Sequence, residues 1–250
     1  MAIKKIDQLI ESTKEKSLNP ETEAMVKAGL HFGSVVSKIN PKMKPFLYGV
    51  RNGVHIIDVD KTAEKLKEAL DFIKNLVSER KIILLVGTTV QSKELIKSIA
   101  VECNLPYVSQ RWLGGTLSNF EIIRKRVQYF IDLEQKKKEG ELDKYTKKEQ
   151  AQLNKELAKL ETKFGGIKSL SKMPDAVFVI NTRADYLAIK EARQKNIKVI
   201  AVVDTDGDPS EIDYPVPAND DAVSSVAYIL NRVKEVILNA SPKEAEEKDK

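Results

Sequence analysis

Short runs of apolar, largely β-branched residues alternate along this chain with longer segments whose apolar positions recur every three or four residues. The runs fall at 54–59, 82–88, 106–110, 176–181 and 199–204, each of strand length. Segments 61–79, 92–102 and 184–195 lie between them and are long enough for crossover helices, and a further helical segment, 220–238, closes the series. This alternation predicts an α/β domain whose parallel sheet is covered on both faces. Asn19-Pro20 reads as a cap followed by a first-turn proline, so a short helix over 21–28 should lead the domain.

The alternation breaks between the third and fourth runs, where glycine pairs, Gly114-Gly115 and Gly165-Gly166, flank a charged insertion. Ser118 and Glu121 have the spacing of a capping box, and Phe120, Ile123, Val127 and Phe130 follow as a narrow seam that polar Glu134 and Lys137 end. A turn-like stretch at 138–141 comes next. Thr146 and Glu149 then repeat the capping spacing, and Leu153, Leu157, Leu160 and Phe164 supply a second seam. Two helices with a short connection pack antiparallel, and so narrow a stripe leaves little to bury against a globule. The pattern predicts a protruding helical hairpin. The expected organisation is therefore a discontinuous α/β domain over 1–113 and 166–239, a hairpin insertion over 114–165, and a disordered tail over 240–250 without an apolar face. The paired glycines suit either close backbone approach or a hinge.

Composition adds a partner class. The 250 residues carry a net charge of +5, and the sequence pI is about 9.0. That excess matters only where it concentrates. Between 24 and 57 stand Lys27, Lys38, Lys42, Lys44 and Arg51, with no acidic residue. Phe32, Phe46 and Tyr48 alternate with these bases among prolines and glycines, a mixture suited to RNA phosphate and sugar and equally to a solvated face. One cysteine, Cys103, fits a reducing compartment, and neither a leader-like start nor an eighteen-residue apolar run is present, so a cytoplasmic protein away from membranes is expected.

Catalytic readings find less support. Gly87-Thr88-Thr89 ends a strand where doubly wound folds hold phosphates, but no glycine-rich nucleotide fingerprint and no lysine accompany it. A tight strand-to-helix turn is the simpler reading. Asp204, Asp206 and Asp208 alternate like the start of a calcium loop, yet Pro209 and Pro215 occupy the positions that need glycine and glutamate. A solvated loop, or one divalent ion among those carboxylates, remains open there. His31, His55 and Cys103 do not complete a zinc site, and no serine sits in a nucleophile elbow. The expectation is no catalytic residue, no metal, no cofactor and no small-molecule substrate. The competing class is a phosphate-ligand enzyme or sensor using Gly87, Thr88 and the Asp204 loop.

The segments AGLHFG, NPKMKPFLYGVRNGVHIIDVDKT, PYVSQRWLGGTLSNF, MPDAVFVINTR and VVDTDGDPSEIDYPVPANDDA, in that order, closely resemble the bacterial small-subunit ribosomal proteins of the S2 family, over about 24–238. The resemblance implies a three-layer α/β/α domain with a flavodoxin-like sheet, a projecting antiparallel coiled-coil arm, and no catalysis. It also implies a seat on the solvent side of the small subunit where head and body meet, with small-subunit ribosomal RNA and other small-subunit proteins, including the large messenger-binding protein, as partners. The chain departs from the family pattern at Ser34, Ile39, Thr89 and Asp206-Gly207, which weakens any metal or phosphate role carried to those positions. Lys42, Lys44, Arg51 and Arg111 match it. The expected RNA-binding set is Lys38, Lys42, Lys44, Arg51, Arg111 and Trp112, the lysines and arginines neutralising phosphates and releasing counterions. Trp112 has two readings, RNA stacking or a core plug at the arm's root.

Overall fold

The computed structural model describes residues 20–240. The Asn19 cap and the tail from 241 onward lie outside the described residues. In chain order the strands are β1 (Phe32–Val35), β2 (Leu47–Arg51), β3 (Val54–Ile57), β4 (Ile83–Val86), β5 (Tyr107–Val108), β6 (Ala176–Val179), β7 (Lys198–Val203) and β8 (Tyr214–Pro217). The α-helices are α1 (Pro20–Ala28), α2 (Val59–Ser78), α3 (Lys93–Glu102), α4 (Phe120–Lys138), α5 (Lys147–Phe164), α6 (Tyr186–Gln194) and α7 (Val223–Ala240).

Strands β4 to β8 form a parallel sheet in the order β5-β4-β6-β7-β8. Numbered along the chain, these five strands run 2-1-3-4-5, the flavodoxin-like order. Strands β4 and β6 read ILLV and AVFV and are buried at every position, because layers cover both faces. Alternate residues go to opposite sides. Ile83, Leu85, Phe178, Ile200 and Val202 join α1, α2, α3 and α7 in one core, while Leu84, Val86, Val177, Val179 and Ala201 join α6 and the root of the insertion in the other.

The run at 54–59 is not part of this sheet. Residues Val54–Ile57 form the centre of a separate antiparallel sheet, order β1-β3-β2. Asn52 and Gly53, both at positive φ (51° and 76°), make the turn between β2 and β3, and an Asn-Gly turn is a strong hairpin signal. Asp58 ends the run early because its side chain accepts from the Asp60 amide at the start of α2. Strand β8 was hidden by Pro215 and Pro217. It lies at the sheet edge, paired with β7, where missing amides are tolerated.

The insertion is a hairpin of α4 and α5. At the start of α5, Thr146 and Glu149 form the full capping box. Ser118 does not cap α4: Asn119 holds that position without a side-chain bond, and the Ser118 hydroxyl is used elsewhere. Gly140, at φ 74°, takes the left-handed conformation that follows the end of α4. Phe120, Val127, Phe130, Leu157 and Phe164 are buried as the seam requires, with Ile123, Leu153 and Leu160 partly buried. The stripe runs further than its spacing suggested, taking in Leu133 and Leu142. Cross-links show the antiparallel direction. Tyr129 donates to Glu156 at 3.2 Å, and Lys168 joins Glu134 (3.1 Å) and Glu161 (2.8 Å) while lying 4.3 Å above the Phe130 ring.

Candidate functional site

The carboxyl ends of β4 and β6 flank the crevice where this topology places ligands. Here the protein fills it with its own anion. The Asp185 carboxylate, buried before α6, accepts from the Thr88 amide (3.2 Å) and the Thr88 hydroxyl (2.8 Å). Burial pushes its carboxyl up from the usual aspartate value, with the Thr88 bonds opposing. An incoming phosphate would meet that group instead of free amides. Gly87 serves packing: a Cβ there would stand 2.4 Å from Ile96 Cδ1 and 2.8 Å from Ser92 Oγ. The geometry matches the tight-turn reading of this segment.

The alternating aspartates diverge. Asp206 faces Arg183 at 2.5 Å, and Asp208 accepts from Lys42 at 2.7 Å and from the Ser210 amide and hydroxyl. Asp204 turns inward, where it accepts from Ser34 Oγ (2.9 Å) and the Thr205 amide (2.6 Å). Its carboxylate neighbours are Asp220 and Asp221, all three within 4.8 Å of one another. Burial first, then the Asp204 charge, push the Asp220 carboxyl up to about 8, so this trio holds a proton at neutral pH. A calcium-loop spacing thus leads to two salt bridges and a protonated cluster, a different grouping from the one the sequence suggested.

The basic stretch builds a ledge around the three-stranded sheet. Lys38 ends the 3-10 turn Val36–Lys38, and Lys42 and Lys44 ride on the 3-10 turn Pro41–Phe46. Asn40 caps that second turn by accepting from the Lys42 amide, and buried Met43 anchors it. Arg51 ends β2. All four cations are exposed, and Phe32 and Tyr48 of the same segment are exposed at 49% and 73%. Burial, and then the Arg51 charge, hold the His31 imidazole below its usual value. His55 is buried on β3. Among the described residues no carboxylate lies within ion-pair distance of Lys38, Lys44, Arg51 or Arg111. Lys42 differs. Its Nζ is held by Asp208 and Ser210, residues far along the chain, so a stretch free of acids in sequence is partly neutralised in space.

Arg111 is exposed at the root of the hairpin, but Trp112 is buried, at 7% exposure. Its indole N–H donates to Glu191 Oε1 at 3.3 Å, which favours the core plug of its two readings. Glu191, on α6, gathers four further donors from the loop that launches α4: the amides of Gly115 (2.8 Å), Leu117 (2.9 Å) and Ser118 (3.0 Å), and the Ser118 hydroxyl (3.1 Å). Burial pushes its carboxyl up, but these donors outweigh burial and hold it below the usual glutamate value. The glycine pairs permit close approach. Gly115 has φ 94°, and a Cβ on Gly166 would stand 2.2 Å from the Tyr107 carbonyl oxygen. The signal for Glu191 was an acid sharing a helix face with Ala188 and Ala192, both buried.

Among the described residues no helix is long and apolar enough to cross a membrane. A family model described as Ribosomal protein S2 matches residues 25–240. The chain belongs to that family and is a structural protein of the small ribosomal subunit.

Proposed function

We propose that this member of the ribosomal protein S2 family binds small-subunit ribosomal RNA through its basic ledge, without catalysis, while the helical hairpin projects as a coiled-coil arm that orients the domain against RNA and neighbouring proteins. The observation that carries this reading is the set Lys38, Lys44 and Arg51: exposed, in one segment with the exposed aromatics Phe32 and Tyr48, and, among the described residues, without a carboxylate partner. Cations of that kind lose little on meeting a phosphate and release the counterions condensed on RNA. Lys42 must first leave Asp208, so its role shifts toward shaping the ledge. The internally satisfied crevice at Thr88 and Asp185 supports a non-catalytic role. The large messenger-binding protein of the subunit is the partner expected beside the ledge, and the ribosome in the cytoplasm is the expected location.

The test is a titration of the full chain into small subunits lacking it, across a range of salt. Replacing Lys38, Lys44 and Arg51 by Ala should lower the slope of log affinity against log salt by roughly 2 to 3, at about 0.7–0.9 per phosphate contact. An unchanged slope would overturn the placement. Lys42→Ala alone should change the slope least of the four.

A further inference from the structure

The geometry points to a second anion site, outside the ledge: a cleft at the root of the arm that takes one phosphodiester group of RNA. The cleft has a volume of about 220 Å³ and lies where β5 ends beside α3 and the close of α5. Lys97 from α3, Arg111 from the loop after β5 and Lys163 from the last turn of α5 line it, together with Ser109. These residues are far apart in sequence, and the fold brings them to the lining of one concavity.

Three features make it a site for an anion. First, Lys97, Arg111 and Lys163 have no carboxylate within ion-pair distance among the described residues, so their charge is uncompensated. Second, the one acid lining the cleft, Glu161, is engaged by Lys168 at 2.8 Å. The carboxyl end of α5 contributes about half a negative charge, too little to offset three full positive ones. Third, the wall at Gly166 is backbone, where the chain passes so close to Tyr107 that a side chain would not fit, while Glu161 Oε1 lies against Gly165.

Walls of low dielectric focus the field of such a cluster. Arg111 offers a planar fork for two phosphate oxygens, and the lysines add point charges. The volume is many times the roughly 10–15 Å³ that one water needs, so a phosphate group with part of its hydration can enter. The site rests on the RNA-binding reading and deepens it. An RNA strand that meets the ledge and this cleft would be held at both the sheet and the arm.

Binding of the full chain to small-subunit ribosomal RNA, measured against salt, tests the site. The variant K97A/R111A/K163A should keep its circular dichroism, bind more weakly whatever the RNA sequence, and lose roughly 2 to 3 from the salt slope. If that variant does not fold, Arg111→Ala alone should lower the slope by about 0.7–0.9. A wild-type slope in the cleft variant, with a lowered slope in the ledge variant K38A/K44A/R51A, would overturn the cleft and leave RNA binding standing. Wild-type slopes in both would overturn both. Unchanged RNA binding with loss of a neighbouring subunit protein would make the cleft a protein contact and refute the proposal. Saturable, stoichiometric binding of inorganic phosphate by calorimetry, with the RNA slope unmoved, would assign it to a free anion instead.

Discussion

Glu191 at the root of the hairpin and Asp220 beside the Asp204 loop are buried alike, at 4% and 5% exposure, yet their carboxyls are displaced in opposite directions. Glu191 receives two side-chain and three backbone donors and stays ionised. Asp220 faces Asp204 and Asp221 and keeps its proton to about pH 8. Burial raises the cost of charge at both places, and the neighbours decide the outcome. The first arrangement fixes a loop in one conformation, whereas the second stores a pH dependence.

The largest test of this contrast is Glu191→Ala. It strips the acceptor from five neutral donors, several of them buried, and should cost about 3 kcal/mol or more in urea unfolding. Glu191→Gln should cost less and change the acid limb. Because the folded-state value of Glu191 is depressed, its contribution is complete above the unfolded-chain value and is lost as pH falls through the folded one. The Gln variant should therefore lose less stability than the parent on acidification.

Asp220→Asn should act with the opposite sign. The folded protein holds this proton more tightly than the unfolded chain, so the contribution is complete below pH 4 and lost as pH rises toward about 8. The Asn variant should gain on the parent across that window, by up to about 1.4 kcal/mol per pH unit in thermal or urea unfolding. A constant difference from pH 4 to 9 would remove the proton from the account. The smallest effect is expected of Ser34→Ala, which deletes the 2.9 Å bond to Asp204 and should cost about 1 kcal/mol. It should also steepen the fall in stability with pH, since Asp204 would lose a donor to its charged form.

The parallel sheet was legible because strands β4 and β6 are apolar at every position, a pattern that only a doubly covered sheet produces. The hairpin showed through its periodicity and the Thr146 capping box. The small sheet did not, since its strands are four or five residues long and half exposed, although the Asn-Gly pair just before the 54–59 run marks the turn between β2 and β3. At the site, the exposure of Lys38, Lys44 and Arg51 followed from local composition. The neutralising of Lys42 by Asp208 and the clasp of Glu191 did not, because both depend on contacts between residues remote in the chain. Trp112 illustrates the limit: its neighbours Arg111 and Leu113 gave no sign of which side the indole would face.

The clasp at Glu191 also has a mechanical meaning. Its acceptor belongs to the body and its donors to the loop from which α4 departs, so this side chain ties the start of a helix of 19 residues to the body. At 1.5 Å per residue that helix is a lever of about 28 Å, and each degree of play at its pivot moves the far end by roughly 0.5 Å. Stiffness invested at the fulcrum is thereby magnified into positional accuracy at the tip.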